Sequence, residues 1–349
     1  MRILVIGNLG YIGPVVVEHL RRTFPDGAIH GFDTGLFAGC LMSGGLLPEV
    51  ALDNQRFGDV RRCPSDVFAG VDAVVYLAAL SNDPIGNAFE KPTMEINADC
   101  AVAAARMAKA SGVRHFVFAS SCSVYGAGGN EAKDENANLA PQTAYAKSKI
   151  AAEQGLAELA DASLSVTSLR FATACGFSPR LRLDLVLNDF VASALSTGEI
   201  VVLSDGSPWR PLIHVRDMAR AIEWAIGRDA DVGGAFLAVN TGADAGNYQI
   251  RDLAEAVAAE LGGIQVSINR DASPDKRSYR VSFAKFHELA PAHQPRFTLA
   301  DSVRDLASNL RRCGFSDARF RDGSLMRLNF IRQLIEGGAL DRNLCWVRV

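Results

Sequence analysis

Arg2-Ile3-Leu4-Val5-Ile6-Gly7-Asn8-Leu9-Gly10-Tyr11-Ile12-Gly13-Pro14 carries an apolar, strand-like run straight into a G-x-x-G-x-x-G turn. Pro14 stands where a helix can begin, because an N–H in the first turn has no intrahelical acceptor to lose. Glycines at 7, 10 and 13 let the turn close tightly, and the free N–H groups and dipole of a following helix N-terminus favour a pyrophosphate. Ordinary strand-to-helix turns also use such triplets, so the surroundings decide. A second apolar run, 28–32, ends at Asp33, 20 residues past Gly13, where a dinucleotide fingerprint places its acidic residue. A carboxylate there accepts hydrogen bonds from ribose hydroxyls and repels a 2′-phosphate, and Thr34-Gly35-Leu36 bring no arginine to offset it. The turn, with Tyr11 and Ile12 between its glycines, therefore points to NAD rather than NADP. Asp59-Val60 and Leu77-Ala78-Ala79, each after an apolar approach, are expected beside the adenine and ribose; simple tight packing is an equal reading for Ala78 and Ala79.

Outward from this turn, strand-like runs at 2–6, 28–32, 73–77, 115–120 and 165–171 alternate with helix-like stretches at 14–23, 94–111 and 144–160. Such alternation predicts βαβ units, hence an α/β fold of Rossmann type with a doubly wound parallel sheet covered on both faces. After Phe171 the regularity stops. Runs at 200–203 and 235–239 are candidate further strands, and 183–196, 216–226 and 250–261 read as amphipathic helices. The expected division is a NAD-binding domain at 1–175, with strands returned from about 200–245, and a smaller mixed lobe at 176–349. Residues 34–57 read as a long loop or irregular insertion, and 320–349 as a helix followed by an extended tail.

The 349 residues are 48% hydrophobic and 21% charged, a globular rather than a disordered composition. With 36 basic and 39 acidic residues the net charge is -3, which offers no field to draw in nucleic acid. No apolar run reaches the roughly 18 residues needed to cross a bilayer, and Met1-Arg2 leads directly into the first strand without a signal-peptide layout, so a cytoplasmic protein is expected. Cys40, Cys63, Cys100, Cys122, Cys175, Cys313 and Cys345 include no CxxC pair and no tight Cys/His spacing. Reduced, mostly buried thiols are expected, with neither a disulfide framework nor a metal site.

Tyr145-Ala146-Lys147-Ser148-Lys149 opens a helix announced by Pro141 and Thr143, and its Tyr and last Lys, four residues apart, project from one face. A free tyrosine titrates near pH ~10. A neighbouring ammonium and a positively charged nicotinamide would each stabilise phenolate, bringing Tyr145 towards the range where it can take a proton from a sugar hydroxyl. Ser120-Ser121-Cys122-Ser123-Val124-Tyr125-Gly126 precedes it at a strand end. With these motifs in this order, the sequence resembles the extended short-chain dehydrogenase/reductase superfamily, and within it the NAD-dependent nucleotide-sugar epimerase/dehydratase family. The resemblance runs from Gly7 to Trp209-Arg210-Pro211-Leu212-Ile213-His214-Val215, nearly the whole chain.

That resemblance implies a catalytic set of Ser121, Tyr145 and Lys149, with Ser121 on the reacting sugar hydroxyl and Asn97 helping to organise the site. It also implies a nucleotide-diphosphate sugar bound in the C-terminal lobe, with Asn188 at the diphosphate and Arg210 on phosphate oxygens, a contact that suits a guanidinium fork. Asp275 or Arg277 is a candidate contact to the nucleotide, with a solvated loop as the equal alternative; Ser81, Cys122, Ser123 and Thr173 are expected around the sugar. His214 reads as a strand residue and Asp217 as a helix cap. A homodimer packed through 94–111 and 144–160 is implied on the same footing.

Departures from the family pattern narrow the reaction. Where its 4,6-dehydratases carry an Asp-Glu pair after the catalytic hydroxyl residue, this chain has Cys122 and Ser123, which supply no strong acid or base. Ser123 also stands where the family's decarboxylases usually carry Glu, and Thr173 where galactose 4-epimerases carry Asn. The expectation is an NAD-dependent epimerase, most simply at C4, working through a transient 4-keto sugar with Tyr145 as acid and base. A reductase of nucleotide 4-keto-6-deoxy sugars would use the same residues but consume NADH or NADPH, and a non-catalytic dinucleotide-binding protein would keep the fold without turnover.

Overall fold

Arg2–Ile6 lies inside a seven-stranded sheet in the computed structural model, which describes residues 1–42, 46–126, 131–272 and 278–347. Across the sheet the order is Phe236–Thr241, Ser165–Phe171, His115–Ser121, Ala73–Tyr76, Arg2–Ile6, Ala28–Asp33 and Asn54–Phe57, and every neighbouring pair is parallel. The chain winds outward from Arg2–Ile6 in both directions, which is the doubly wound arrangement. Connections leaving Arg2–Ile6 and Ala73–Tyr76 therefore part to opposite faces and open a crevice at the carboxyl ends of those strands.

Alternation along the strands sorts the core into two layers. Ile3, Val5, Val75 and Val117 pack with residues of helices Gly13–Thr23 and Val215–Ile226, while Leu4, Ile6, Val74, Phe116 and Phe118 pack with those of Cys100–Ala110 and Ala144–Ala157. On the second face Ala101, Ala104, Ala105 and Ala108 are small enough to bring their helix close to the large aromatic side chains of the sheet.

The second lobe is mixed. Trp209–His214 runs parallel to Thr173–Cys175 and antiparallel to Asn247–Gln249. Of the two runs expected to return to the main sheet, Phe236–Thr241 does so, whereas Glu199–Val202 pairs with Gln265–Ile268 in a separate two-stranded sheet. Its burial explains the difference: Ile200 and Val202 are inside and Glu199 and Val201 outside, the pattern of a strand with one covered face.

Three further elements differ from expectation. The stretch 94–111 is divided into Glu90–Met94, a wide π-helical turn Glu95–Asp99, and Cys100–Ala110. The supposed loop 34–57 contains the edge strand Asn54–Phe57, whose mostly exposed, polar Asn-Gln-Arg sequence gives no apolar alternation to find. Helix Leu299–Arg312 was not anticipated, although Thr298 and Asp301 form a reciprocal capping box at its start. His214 is the cap of Val215–Ile226, its Nδ1 accepting from Arg216 N at 3.2 Å. Asp217 instead accepts from the backbone N–H groups of Arg296 and Phe297, each at 3.0 Å, and so fixes the segment that leads into Leu299–Arg312. Among the described residues no helix is long and apolar enough to cross a membrane.

Candidate active site

The crevice at the carboxyl ends of the central strands opens into a cavity of about 950 Å³ that continues to the second lobe. This is at the upper end of the ~300–1,000 Å³ range of small-molecule sites. Gly7, Gly10, Tyr11, Ile12, Gly13, Asp33, Asp59, Val60, Leu77, Ala78 and Ala79 line one part of it. Gly7 has φ +88°, and a Cβ there would lie 2.4 Å from Ala78 N; a Cβ on Gly13 would lie 2.1 Å from the Asn8 carbonyl oxygen. The close packing is thus real at Ala78, and its partner is Gly7. Tyr11 is tied to the second lobe, its hydroxyl donating to Gly176 O at 2.6 Å and accepting from Asn188 Nδ2 at 3.1 Å.

Asp33 accepts from Leu9 N at 2.9 Å through one carboxylate oxygen and from Gly35 N at 2.7 Å through the other. Burial pushes its carboxyl above the ordinary range, opposed by those two N–H groups. Each oxygen keeps a second lone pair for a ribose hydroxyl. The glycine cradle, the helix N-terminus behind it and this buried acceptor fit a dinucleotide. Arg61 also reaches this wall, with its charge paired to Asp59: Nε and Nη2 grip Asp59 at 3.0 and 2.5 Å, and Nη1 donates to Asn343 O at 2.6 Å.

Ser121, Tyr145 and Lys149 meet on the same cavity. Thr143 caps their helix, accepting from Ala146 N at 3.2 Å, and its hydroxyl donates to Asp83 at 2.7 Å. The Tyr145 phenol is within hydrogen-bonding reach of Ser121; burial pushes its pKa up to about 12, against the pull of Ser121 and the Arg182 charge. Lys149 is buried, with Nζ donating to Ala119 O at 2.6 Å, 4.6 Å from the centre of the Phe118 ring and 5.6 Å from that of Tyr145. Burial lowers its pKa to about 7, opposed by Glu153. Burial thus works against both charged forms, raising the phenol and lowering the ammonium, and the nearby positive charge that pulls the phenol down is that of Arg182.

Sequence reasoning had not singled out Arg182 or Glu153. Arg182 forks onto Asp184 at 2.9 and 3.0 Å and donates to both the carbonyl and the hydroxyl of Ser81 at 2.9 Å. Glu153 is buried between Arg170 Nη2 at 2.7 Å, Ser120 Oγ at 2.6 Å and Ser168 Oγ at 3.1 Å. A signal for Glu153 did exist, since it lies two helical turns beyond Tyr145 on the Tyr145/Lys149 face. Nothing local marks Arg182, which takes its place only through the tertiary fold.

Not every expected contact lies on the cavity. Ser81, Ser123, Thr173 and Arg210 do, and the Ser123 hydroxyl is buried without a hydrogen-bond partner among the described residues. Cys122 does not: its side chain sits in the core with Sγ 3.0 Å from Arg170 O, because the residue between two cavity-facing serines turns the other way. Asn188 is fully buried and holds Gly176 N, Arg182 O and Tyr11 in register, so it supports the wall from behind. Asn97 acts similarly, bonding both backbone groups of Leu80 and the Ser148 hydroxyl from within the wide helical turn. Asp275 and Arg277 lie outside the described residues. Among the described residues no group of three or more His, Cys, Asp or Glu side chains is placed to hold a metal ion.

A model of the NAD dependent epimerase/dehydratase family matches residues 3–240. UDP-glucose 4-epimerase of Streptomyces lividans is 29% identical over 275 residues, spanning 73% of this chain and 79% of its own length. dTDP-glucose 4,6-dehydratase of Neisseria meningitidis serogroup B is 31% identical over 260 residues, spanning 67% and 71%. The solved structure of MoeE5 in complex with UDP-glucose and NAD has a TM-score of 0.75 and 26% identity, covering 89% of this chain and 99% of that one.

Proposed function

The chain belongs to the NAD-dependent epimerase/dehydratase family, and from that premise we propose that it is a nucleotide-diphosphate-sugar epimerase acting at C4 through a transient 4-keto sugar. When bound, NAD supplies the reversible two-electron oxidation of the sugar carbinol. The residues of the chain handle the proton and the positioning. Tyr145 takes the proton of the C4 hydroxyl and later returns it, Ser121 holds the same oxygen, and Ser123 and Thr173 offer hydroxyls to the ring. Lys149 adds positive charge beside the phenol when protonated, and Arg210 meets a phosphate of the nucleotide.

The observation that carries this reading is the wall around Tyr145. Cys122 is turned into the core, Ser123 presents only a hydroxyl, Asp83 accepts from Thr143, and Asp184 is forked by Arg182. Elimination of water needs an acid and a base free to act on the sugar, and the side chains beside the phenol are committed elsewhere. Relatives of both reaction types match the chain, so the test is direct. The purified protein is incubated with UDP-, dTDP-, GDP- and CDP-hexoses without added reductant, and the sugars are followed by NMR. Interconversion of one C4-epimer pair is expected. A 4-keto-6-deoxy product, or turnover only when NADH or NADPH is consumed with a keto sugar, would overturn the proposal.

A further inference from the structure

The C-terminal residues come back to the first half of the chain. After helix Arg327–Glu336, Leu340 and Trp346 pair in an antiparallel bridge, and Asp341 N donates to Cys345 O at 3.0 Å, closing a short turn. Three hydrogen bonds fasten that turn to the proposed adenosine end of the cavity. Arg61 donates to the carbonyls of Asn343 and Leu344 at 2.6 and 3.2 Å, and Trp346 Nε1 donates to Thr34 O at 2.8 Å. Thr34 directly follows the ribose acceptor Asp33, and Arg61 is the residue that grips Asp59.

Between these anchors sits Leu344. Among the described residues it is the one non-glycine residue with a positive φ, +59°, a conformation that costs a β-carbon-bearing residue roughly 1–2 kcal/mol. Its side chain is buried with Leu36 and Leu80 and reaches the cavity wall. Strain of this kind persists only where the surroundings impose it, and here they place an aliphatic side chain, with Leu36 and Leu80, on the cavity that Asp33, Asp59 and Val60 also line.

We infer that the C-terminal turn is the outer wall of the adenosine site and retains the dinucleotide between turnovers. The inference rests on the reading of the cavity as a NAD site. A purine offers a flat apolar face, which suits Leu344, while its ribose hydroxyls face Asp33. Arg61 ties the floor of this site to its wall, with its charge paired to Asp59. Adenosine enclosed in this way leaves only when the turn swings out, which suits an epimerase that must give back the reducing equivalents it has taken.

The test compares wild type, Leu344→Gly and a chain ending at residue 339. Nucleotide released on denaturation is counted per chain, and exchange of bound NAD+ for isotopically labelled NAD+ is timed. Leu344→Gly removes the side chain while relieving the backbone, so it separates the wall from the fold. Wild type is expected to carry near-stoichiometric NAD, and Leu344→Gly to exchange it about tenfold faster, the change expected from losing one buried leucine contact. The shortened chain should exchange faster still; if it fails to fold, Leu344→Gly decides. Wild-type exchange rates in Leu344→Gly would overturn the inference while leaving the epimerase reading intact. A wild-type protein without bound NAD and without affinity for it would overturn both.

Discussion

Lys149→Met should abolish turnover and yet stabilise the protein at neutral pH. Lys149 is 2% exposed, and burial lowers its pKa from 10.5 to about 7. The unfolded chain keeps the ordinary value, so between about pH 7 and 10.5 the unfolded state binds more protons and stability rises with pH. At pH 7 the buried amine costs roughly 4 kcal/mol, at pH 9 roughly 2 kcal/mol, and above the unfolded pKa nothing. Glu153 already limits this cost, and its carboxylate is shared with Arg170, Ser120 and Ser168. Methionine fills a similar volume without a charge, while the lost bond to Ala119 O costs about 1 kcal/mol. The Met variant should therefore be about 3 kcal/mol more stable at pH 7, with the advantage shrinking by about 2 kcal/mol at pH 9. Urea unfolding of both proteins at the two pH values and at matched nucleotide content measures this. A difference independent of pH, or a Met variant less stable than wild type at pH 7, would refute the reasoning.

Tyr145→Phe should cut turnover by about 10²–10⁴-fold while leaving the bound nucleotide count unchanged, read from product formation and nucleotide release on one preparation; an active Phe variant would remove Tyr145 from acid–base work. Asp33→Asn should narrow the preference for NAD over NADP by about tenfold, because the charge facing a 2′-phosphate is gone, and should weaken both nucleotides, because the one amide oxygen can accept from only one of the Leu9 and Gly35 N–H groups while the amide NH2 meets the other; titration with both nucleotides checks it. Arg170→Met should destabilise the fold by about 3–5 kcal/mol, since it strands the Glu153 carboxylate in the core, and adding Glu153→Met should recover much of the loss in denaturant unfolding. A double variant no more stable than Arg170→Met alone would count against that account.

The first half of the fold was legible because its strands are covered on both faces and its helices carry their own punctuation. The run ending at Gly7, the acid closing the next strand and Thr143 ahead of Tyr145 are each local signals with a local cause. The exception in that half, the edge strand Asn54–Phe57, and Glu199–Val202 in the second half hid their topology because they are short and covered on one side at most, so nothing in their composition names their partners. The same distinction holds for the site. Gly7, Asp33, Ser121, Tyr145 and Lys149 reach the cavity from strand ends and one helix face, where spacing alone predicts convergence. Arg182, Asn188 and Leu344 depend on packing between segments far apart in sequence, and the buried positions of Cys122 and Asn188 were hidden for that reason. Position in a motif tells which strand end a residue occupies; which way its side chain turns is settled by the core behind it.

Cys122 shows how that orientation bears on chemistry. The strand ends at Ser121 and the chain turns into a short 3-10 helix, Cys122–Tyr125, so that 121 and 123 line the cavity while 122 meets Arg170 O at 3.0 Å in a fully buried setting. Burial pushes the Cys122 thiol well above its ordinary range, opposed by the Arg170 charge and reinforced by those of Glu135 and Glu153. A carboxylate at 122 would meet the same desolvation, with the Arg170 charge offsetting those of Glu135 and Glu153. The pocket thus opposes an acid–base pair next to Ser121 in two ways, by the residues it holds and by the surroundings it provides for one of them. On the proposed reading the reversible proton exchange of Tyr145 is the one acid–base step required, and an epimerase needs no other.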